Sequence, residues 1–188
     1  MYPWFRLIHA SFTLLGAPRV DTFSTTRIRL RVWPNDPDFN LHVNNGRYLT
    51  LADIARLHWF VRTGVWEAAR RQKAIPIVGD ALAKFRRDLK AFDVFDIETR
   101  MLGWDHRWGF LEHRFVRGGR ALGVVAIRGL FKGPNGSLEP SALLNPLGID
   151  VASPPLPRWI IEWNAGCESL SQVLRGEEQA SGTSQVKK

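Results

Sequence analysis

The sequence of 188 residues is poor in cysteine, with Cys167 as the single one, and in methionine and tyrosine, with two of each. One cysteine excludes an intrachain disulfide and favours a reducing compartment. No Cys/His cluster has the spacing of a zinc site, and no glycine-rich loop of the Walker or dinucleotide type occurs. We therefore expect neither a metal nor a cofactor.

Acidic residues are the minority charge, with 18 against 26 basic ones and a formal net charge of +8. This balance predicts an anionic partner, such as the phosphates of coenzyme A, an acidic carrier protein, anionic lipid or nucleic acid. The basic residues are scattered in small groups, which is typical of solvated faces. No nucleic-acid-binding motif is present, so we expect no nucleic-acid partner. The length fits one domain with additions at its ends, and 45% apolar residues are ample for a core.

The hydrophobic pattern predicts an α+β domain. In residues 22–33, apolar side chains alternate with arginines, which is typical of a half-exposed strand. A helix is predicted from about residue 45 to 63, with Gly64 as its C-cap and another helical turn over 65–74. The helix is apolar around most of its circumference, so we expect it to be buried. Four further strands are predicted over 75–88, 93–104, 107–117 and 120–132.

The most informative stretch is a polar turn, residues 36–48, that leads straight into this helix. Asp36-Pro37-Asp38 is typical of a turn, and Asn44 or Asn45 is a suitable N-cap. The first backbone N–H groups of a helix have no internal partner, and in a dry pocket they can hold a carbonyl oxygen that gains negative charge. Asp38 is near enough to act on that carbonyl as a nucleophile or as a base on water. The alternative is that these residues only shape a turn and a cap.

The run Asp38-x-Asn40-x-His42-Val43-Asn44-Asn45-x-x-Tyr48 resembles the hotdog-fold thioesterases, in the branch similar to 4-hydroxybenzoyl-CoA thioesterase. The resemblance covers roughly residues 22–135. It implies a hotdog fold, in which a curved antiparallel sheet wraps around a long central helix. It also implies hydrolysis of an acyl-CoA thioester to the free acid and coenzyme A, with acyl-carrier protein as the less favoured carrier.

The resemblance also implies roles for individual residues. In that branch, the aspartate that aligns with Asp38 attacks, or activates water at, the thioester carbonyl. A backbone amide that aligns with Asn45 polarises the carbonyl, and we include the neighbouring amide of Gly46. Plant acyl-carrier-protein thioesterases carry a similar run, in which the positions of Asp38, Asn40 and His42 are implicated. Asn40 and His42 are therefore expected to orient Asp38 or the water.

The sequence also suggests residues for phosphate binding and a second possible function. Arg86 and Arg87 are candidate contacts for the phosphates of coenzyme A. Cys167 lies outside the resembling region and is not assigned as a nucleophile. The alternative function is a non-catalytic acyl-ligand binding or scaffold protein on the same fold, because a fold does not determine a function. The presence of Asp38 favours hydrolysis over binding alone.

The chain is expected to have three parts, 1–21, 22–135 and 136–188. Residues 1–18 predict a short amphipathic helix that packs on the domain or lies on a membrane surface, and a cleaved signal peptide is less favoured. The last part predicts a Pro-rich extension, a helix over 158–175 and a disordered polar tail. We expect the protein to be cytoplasmic or, alternatively, peripheral to a membrane. We also expect a homodimer or homotetramer, because a hotdog sheet has an open edge and the family builds each site between two protomers.

Overall fold

The computed structural model describes residue 6, residue 8 and residues 17–148 and 152–185. Internal contacts divide the chain into two units, Met1–Pro154 and Pro155–Lys188. Most of the amphipathic helix predicted over residues 1–18 lies outside the described residues. The predicted boundaries at residues 21 and 135 remain predictions.

The first unit combines an antiparallel sheet with one long helix, so the predicted α+β class is confirmed. Its helices are α1 (Asn45–Thr63), α2 (Val65–Arg71) and α3 (Pro140–Leu144). Its strands are β1 (Thr26–Arg31), β2 (Ile75–Phe85), β3 (Val94–Trp104), β4 (Gly109–Arg117), β5 (Arg120–Gly133) and β6 (Gly136–Leu138). The strand order is β1-β3-β4-β5-β2, and the short β6, which the sequence pattern does not predict, pairs with β5.

Helix α1 begins and ends where its capping residues predict. The side chain of Asn44 accepts a hydrogen bond from the Gly46 N–H, and Gly64 ends the helix in the left-handed conformation with φ of 82°. The buried side chains include Leu51, Ile54, Ala55 and Trp59. Leu49, however, is 40% exposed. The helix is therefore buried on the side that faces the sheet and not around its whole circumference, because the open sheet covers one side of it.

Strand β1 has the alternation that its sequence predicts. Thr26, Ile28 and Leu30 are buried, and the arginines between them point outward. Arg27 and Arg29 pair with Glu98 and Asp96 on the neighbouring strand β3. The three arginines of this strand therefore form a solvated outer face, and two of them are already neutralised by carboxylates.

Strand β2 is the opposite edge of the sheet. It pairs with β5 on one side, and no strand in the described part of the chain pairs with its other side. None of its residues is buried, and the apolar side chains of Ile75, Ile77, Val78 and Phe85 are 37–62% exposed. An exposed apolar edge of this length is a site at which a second strand readily adds.

A bulge between Val78 and Asp80 interrupts this edge. Gly79 is required there, because a Cβ atom at this position would lie 2.6 Å from the ring of Trp108. The guanidinium of Arg128 lies 4.5 Å from the centre of the same ring and donates a hydrogen bond to Asp80. These contacts hold the bulge in one conformation.

The second unit is dominated by helix α4 (Arg158–Gln185), which spans 28 residues. The predicted helix over 158–175 is therefore confirmed at its start, but the prediction of a disordered tail from Gly176 is wrong over residues 176–185. A glycine inside a helix costs only about 1 kcal/mol, and the residues that follow, Glu177, Glu178, Gln179 and Ala180, are good helix formers. Among the described residues, no helix is long and apolar enough to cross a membrane.

Candidate active site at the start of helix α1

Asp36, the first carboxylate of the turn, has a structural role in the site. Its carboxylate is 1% exposed and forms a bidentate pair with the guanidinium of Arg6, with 2.9 Å between Nη1 and Oδ1. It also accepts the Trp33 N–H at 2.7 Å, and the Nε atom of Arg47 lies 3.5 Å away. The Asp36 carbonyl accepts the Asn44 N–H at 2.9 Å. Asp36 therefore ties together the N-terminal segment, the end of β1 and the start of α1.

Asp38, the predicted catalytic carboxylate, lies in a tight turn and is half-buried. Its Oδ1 atom accepts the Asn40 N–H at 2.8 Å, and its backbone N–H donates to the His42 carbonyl at 2.8 Å. Leu41 closes the turn with φ of 62°, a conformation that leucine rarely adopts. Oδ2 makes no hydrogen bond within the described part of the chain. The turn therefore fixes the carboxylate and leaves one of its oxygens available.

The first turn of α1 offers one backbone amide for a ligand. The Gly46 N–H donates to the Asn44 side chain at 2.8 Å, and the Arg47 N–H donates to the Asn44 carbonyl at 2.8 Å. The Asn45 N–H has no acceptor among the described residues. Of the two predicted candidate amides, the Asn45 N–H is therefore available to a ligand, whereas the Gly46 N–H is already bonded to the Asn44 side chain.

Neither of the predicted helpers, Asn40 and His42, contacts Asp38 through its side chain. Nε2 of His42 lies 3.3 Å from Oδ2 of Asp88, and both side chains are partly exposed. The Asn40 side chain is exposed, and its contact with Asp38 runs through its backbone N–H. Tyr48, the last residue of the motif, is buried against Phe85 and Phe115, with ring centres 5.0 and 4.8 Å away. Burial, with a contribution from the charge of Asp88, raises the pKa of Tyr48 to about 12, so it stays protonated.

Arg86 and Arg87, the two predicted phosphate contacts, lie in the segment after β2, beside the motif turn. The N–H groups of Arg86 and Arg87 both donate to the Leu122 carbonyl at 2.9 Å, and the Val43 N–H donates to the Leu89 carbonyl at 2.9 Å. The segment after β2 is thereby fixed beside the motif turn. The side chains of Arg86 and Arg87 are exposed and form no ion pair with a described residue. No group of three metal-ligating side chains occurs among the described residues.

A separate cavity of about 100 Å³ lies between the second half of α1 and the sheet. Its walls are apolar and include Trp59, Phe60, Met101, Leu111, Phe131 and Leu143. Pro76, Ile77 and Val78 of the edge strand β2 form part of the lining. The helix residues at the cavity lie 11–15 residues beyond Asn45, which is roughly 16–23 Å along the helix. Within one chain, Asp38 and the cavity are therefore at opposite ends of α1.

Three polar residues on the elements that line this cavity are absent from the sequence prediction. Arg56 is the one charged side chain among the described residues of the lining. His113 is fully buried and contacts Thr99 through Nδ1 at 2.9 Å. Burial, with a contribution from Arg56, lowers the pKa of His113 to about 3, so it is neutral at ordinary pH. An arginine and a histidine on otherwise apolar faces are the sequence signal for such a site, but the pattern does not show which elements pack together.

Comparison with known proteins identifies the family of the chain. Residues 32–163 match the thioesterase-like superfamily. A protein of Xenopus laevis named THEM6 is 33% identical over 156 residues, which cover 81% of this chain and 73% of that protein. The thioesterase lcsJ of Purpureocillium lilacinum is 31% identical over 119 residues, or 52% of this chain and 38% of that protein. The chain belongs to the thioesterase-like superfamily, and the predicted resemblance is confirmed.

Solved structures confirm the hotdog fold. The probable thioesterase YbaW of Escherichia coli aligns with a TM-score of 0.60 at 18% identity, over 64% of this chain and 94% of that one. A variant of 4-hydroxybenzoyl CoA thioesterase complexed with 4-hydroxybenzoyl CoA aligns with a TM-score of 0.57 at 17% identity, over 65% and 97%. At these identities the likeness concerns the fold.

Proposed function

We propose that the protein hydrolyses acyl-coenzyme A thioesters and that Asp38 carries the reaction as a nucleophile or as a general base on water. The observation that carries the proposal is the position of Asp38, in a closed turn directly before the N-terminus of α1 and inside the region that matches the superfamily. Supporting observations are the thioesterase names of relatives and a structural neighbour complexed with a coenzyme A thioester.

Asn45 is the residue that we assign to the carbonyl. Its N–H is the amide of the first turn that has no acceptor among the described residues, whereas the Gly46 N–H is held by Asn44. A backbone amide at a helix N-terminus stabilises negative charge that develops on an oxygen. Because His42 pairs with Asp88, we assign it a role in holding the segment after β2 rather than in proton transfer.

Coenzyme A as the carrier is supported by the charges beside the motif. Arg86 and Arg87 are exposed, lack ion-pair partners among the described residues and lie one or two residues from Asp88. Replacing both by glutamine should raise KM for an acyl-coenzyme A but not for the matching acyl-pantetheine, which lacks the nucleotide phosphates. Arg70, exposed on α2, provides a control position at which the same change should alter neither value.

A second copy of the chain would complete the site. If two β2 edges pair antiparallel about a two-fold axis, the Ile77 end of one strand lies beside the Phe85 end of the other. Phe85 packs on Tyr48 in the first turn of α1, and Ile77 lines the cavity. The pairing would therefore bring the start of α1 from one copy towards the cavity of the second. This arrangement joins Asp38 to an apolar pocket that its own chain holds at the far end of the helix.

The decisive experiment compares two carboxylates of the same turn. Asp38→Asn keeps the shape of the side chain and removes its basicity, so kcat should fall by about 10²–10⁴-fold, the usual cost of losing a positioned base. KM and Tm should change little. Asp36→Asn should act mainly on Tm, because Asp36 is bound to Arg6. Equal losses of kcat in both variants, or an active Asp38→Asn variant, would show that the motif is structural here.

A further inference from the structure

The cavity beside α1 is apolar except at Arg56. The side chain of Arg56 is 13% exposed, and it is paired with Asp53, which is 43% exposed. The pair uses one N–H group of the guanidinium, Nη2, and no second acceptor for Arg56 occurs among the described residues. A guanidinium has five N–H donors in a planar fork. A largely buried arginine at the wall of the cavity therefore has donors to offer to whatever occupies it.

A second polar group lies on β4, a strand that lines the cavity. Leu111, which lines the cavity, and His113 lie two residues apart on β4 and so project from the same face of the sheet. Nε2 of His113 is buried and has no hydrogen-bond partner in the described part of the chain. The positive charge of Arg56 contributes to the lowered pKa of His113. A buried polar atom without a partner is rare in native proteins, and this one lies on the strand face that also carries Leu111 of the lining.

We propose, building on the proposed function, that the cavity receives an acyl chain that carries a neutral oxygen, a hydroxyl or a keto group, at its far end, and that Arg56 donates a hydrogen bond to that oxygen. A chain that is apolar throughout would cover the N–H groups of Arg56 without replacing the water that they bind, which is unfavourable. A hydroxyl or carbonyl oxygen restores that hydrogen bond inside the cavity.

The pairing of Arg56 with Asp53 explains why the oxygen of the ligand should be neutral. The carboxylate of Asp53 already balances the charge of Arg56. A carboxylate on the ligand would lose its hydration in the apolar cavity and would meet a guanidinium whose charge is already balanced, so its burial is unfavourable. The site therefore offers hydrogen-bond donors without offering net positive charge.

The size of the cavity limits the chain. A cavity of about 150 Å³ lined by apolar side chains holds benzene. The present cavity of about 100 Å³ therefore accommodates on the order of four carbon atoms by that comparison. With the carbons next to the thioester outside it, a six-carbon acyl group with a terminal oxygen is a suitable probe.

The experiment compares hexanoyl-coenzyme A, 6-hydroxyhexanoyl-coenzyme A and adipoyl-coenzyme A, which differ only at the far end of the chain. In the wild type, kcat/KM should be highest for the hydroxylated chain, by about tenfold or more over hexanoyl, the usual effect of a hydrogen bond to a charged donor. Arg56→Met should abolish this preference, and Arg56→Lys should retain part of it. Arg71→Met, an exposed arginine on α2 that pairs with Glu67, is the control and should keep it.

Three results would overturn the proposal: no preference in the wild type, a preference that survives Arg56→Met, or a preference for adipoyl, which would make Arg56 a partner for charge. Calorimetric binding of hexan-1-ol separates this proposal from the proposed function. Binding that is lost in Arg56→Met without hydrolysis of any thioester would support the cavity and refute the hydrolase. Hydrolysis of all three thioesters at equal rates would support the hydrolase and refute the proposal for the cavity.

Discussion

Replacing Arg6 with methionine should destabilise the protein by ~3–5 kcal/mol, because removal of one partner of a buried ion pair leaves the other charge uncompensated. The Asp36 carboxylate is 1% exposed, so water cannot take the place of the guanidinium. Arg47 Nε remains 3.5 Å away and the Trp33 N–H remains bonded, which favours the lower part of this range. For a chain of this length, the change corresponds to a fall in Tm of roughly 6–20 °C.

The assay is thermal unfolding of full-length variants. Arg29→Met is the matched control, because Arg29 also pairs with an aspartate, Asp96, but on the exposed face of β1. That variant should unfold close to the wild-type Tm, since exposed ion pairs contribute little. The double variant Arg6→Met/Asp36→Asn should recover part of the loss, because it removes the buried charge and keeps an oxygen that accepts the Trp33 N–H. If Arg6→Met unfolds at the same temperature as Arg29→Met, Arg6 does not hold the motif turn.

Three further predictions concern the edge, the core and the glycines. The protein should be at least a dimer through β2, and a strictly monomeric mass by light scattering at micromolar concentration would contradict this. Burial holds the pKa of His113 at about 3, below the ordinary 6.5, so the unfolded chain binds this proton more readily. The contribution of neutral His113 to the free energy of unfolding should be fully present above about pH 6.5 and should decline by ~1 kcal/mol per pH unit towards pH 3. His113→Asn should weaken this decline in acid titrations. His106→Asn, at an exposed position, should not. Gly79→Ala should lower the free energy of unfolding by ~1–3 kcal/mol, because the new methyl group overlaps Trp108, whereas Gly166→Ala in open space on α4 should raise it by ~0.5–1 kcal/mol in urea unfolding.

Local signals predict the first unit well. Asn44 and Gly64 determine the ends of α1 through hydrogen bonds within a few residues, so the sequence pattern is sufficient to find them. The alternation in β1 likewise follows from one strand that has one buried face. The sequence does not predict the C-terminal end of α4, because the polar composition after Gly176 is typical of a disordered tail as well as of an exposed helix.

Features that depend on contacts between distant residues leave no such pattern. Arg6 and Asp36 are thirty residues apart in the sequence, and neither residue alone indicates a buried pair. The sequence predicts a membrane or packing role for residues 1–18, and the contact of Arg6 adds a direct link to the motif turn. Arg56 acts on His113 only because α1 packs on the sheet that contains β4. The occupied amide of Gly46 depends on the rotamer of Asn44.

The start of α1 has a consequence for what evolution or engineering can do with this protein. No acidic residue occupies the first turn, and the cap, Asn44, is neutral. Aspartate would cap the helix as well as asparagine, and an acidic side chain there would stabilise the helix dipole by ~0.3–1 kcal/mol. The same charge would compete for the positive potential that the proposed reaction uses at Asn45. Asn44→Asp should therefore raise Tm and lower kcat, so that this single position sets a trade-off between thermal stability and turnover.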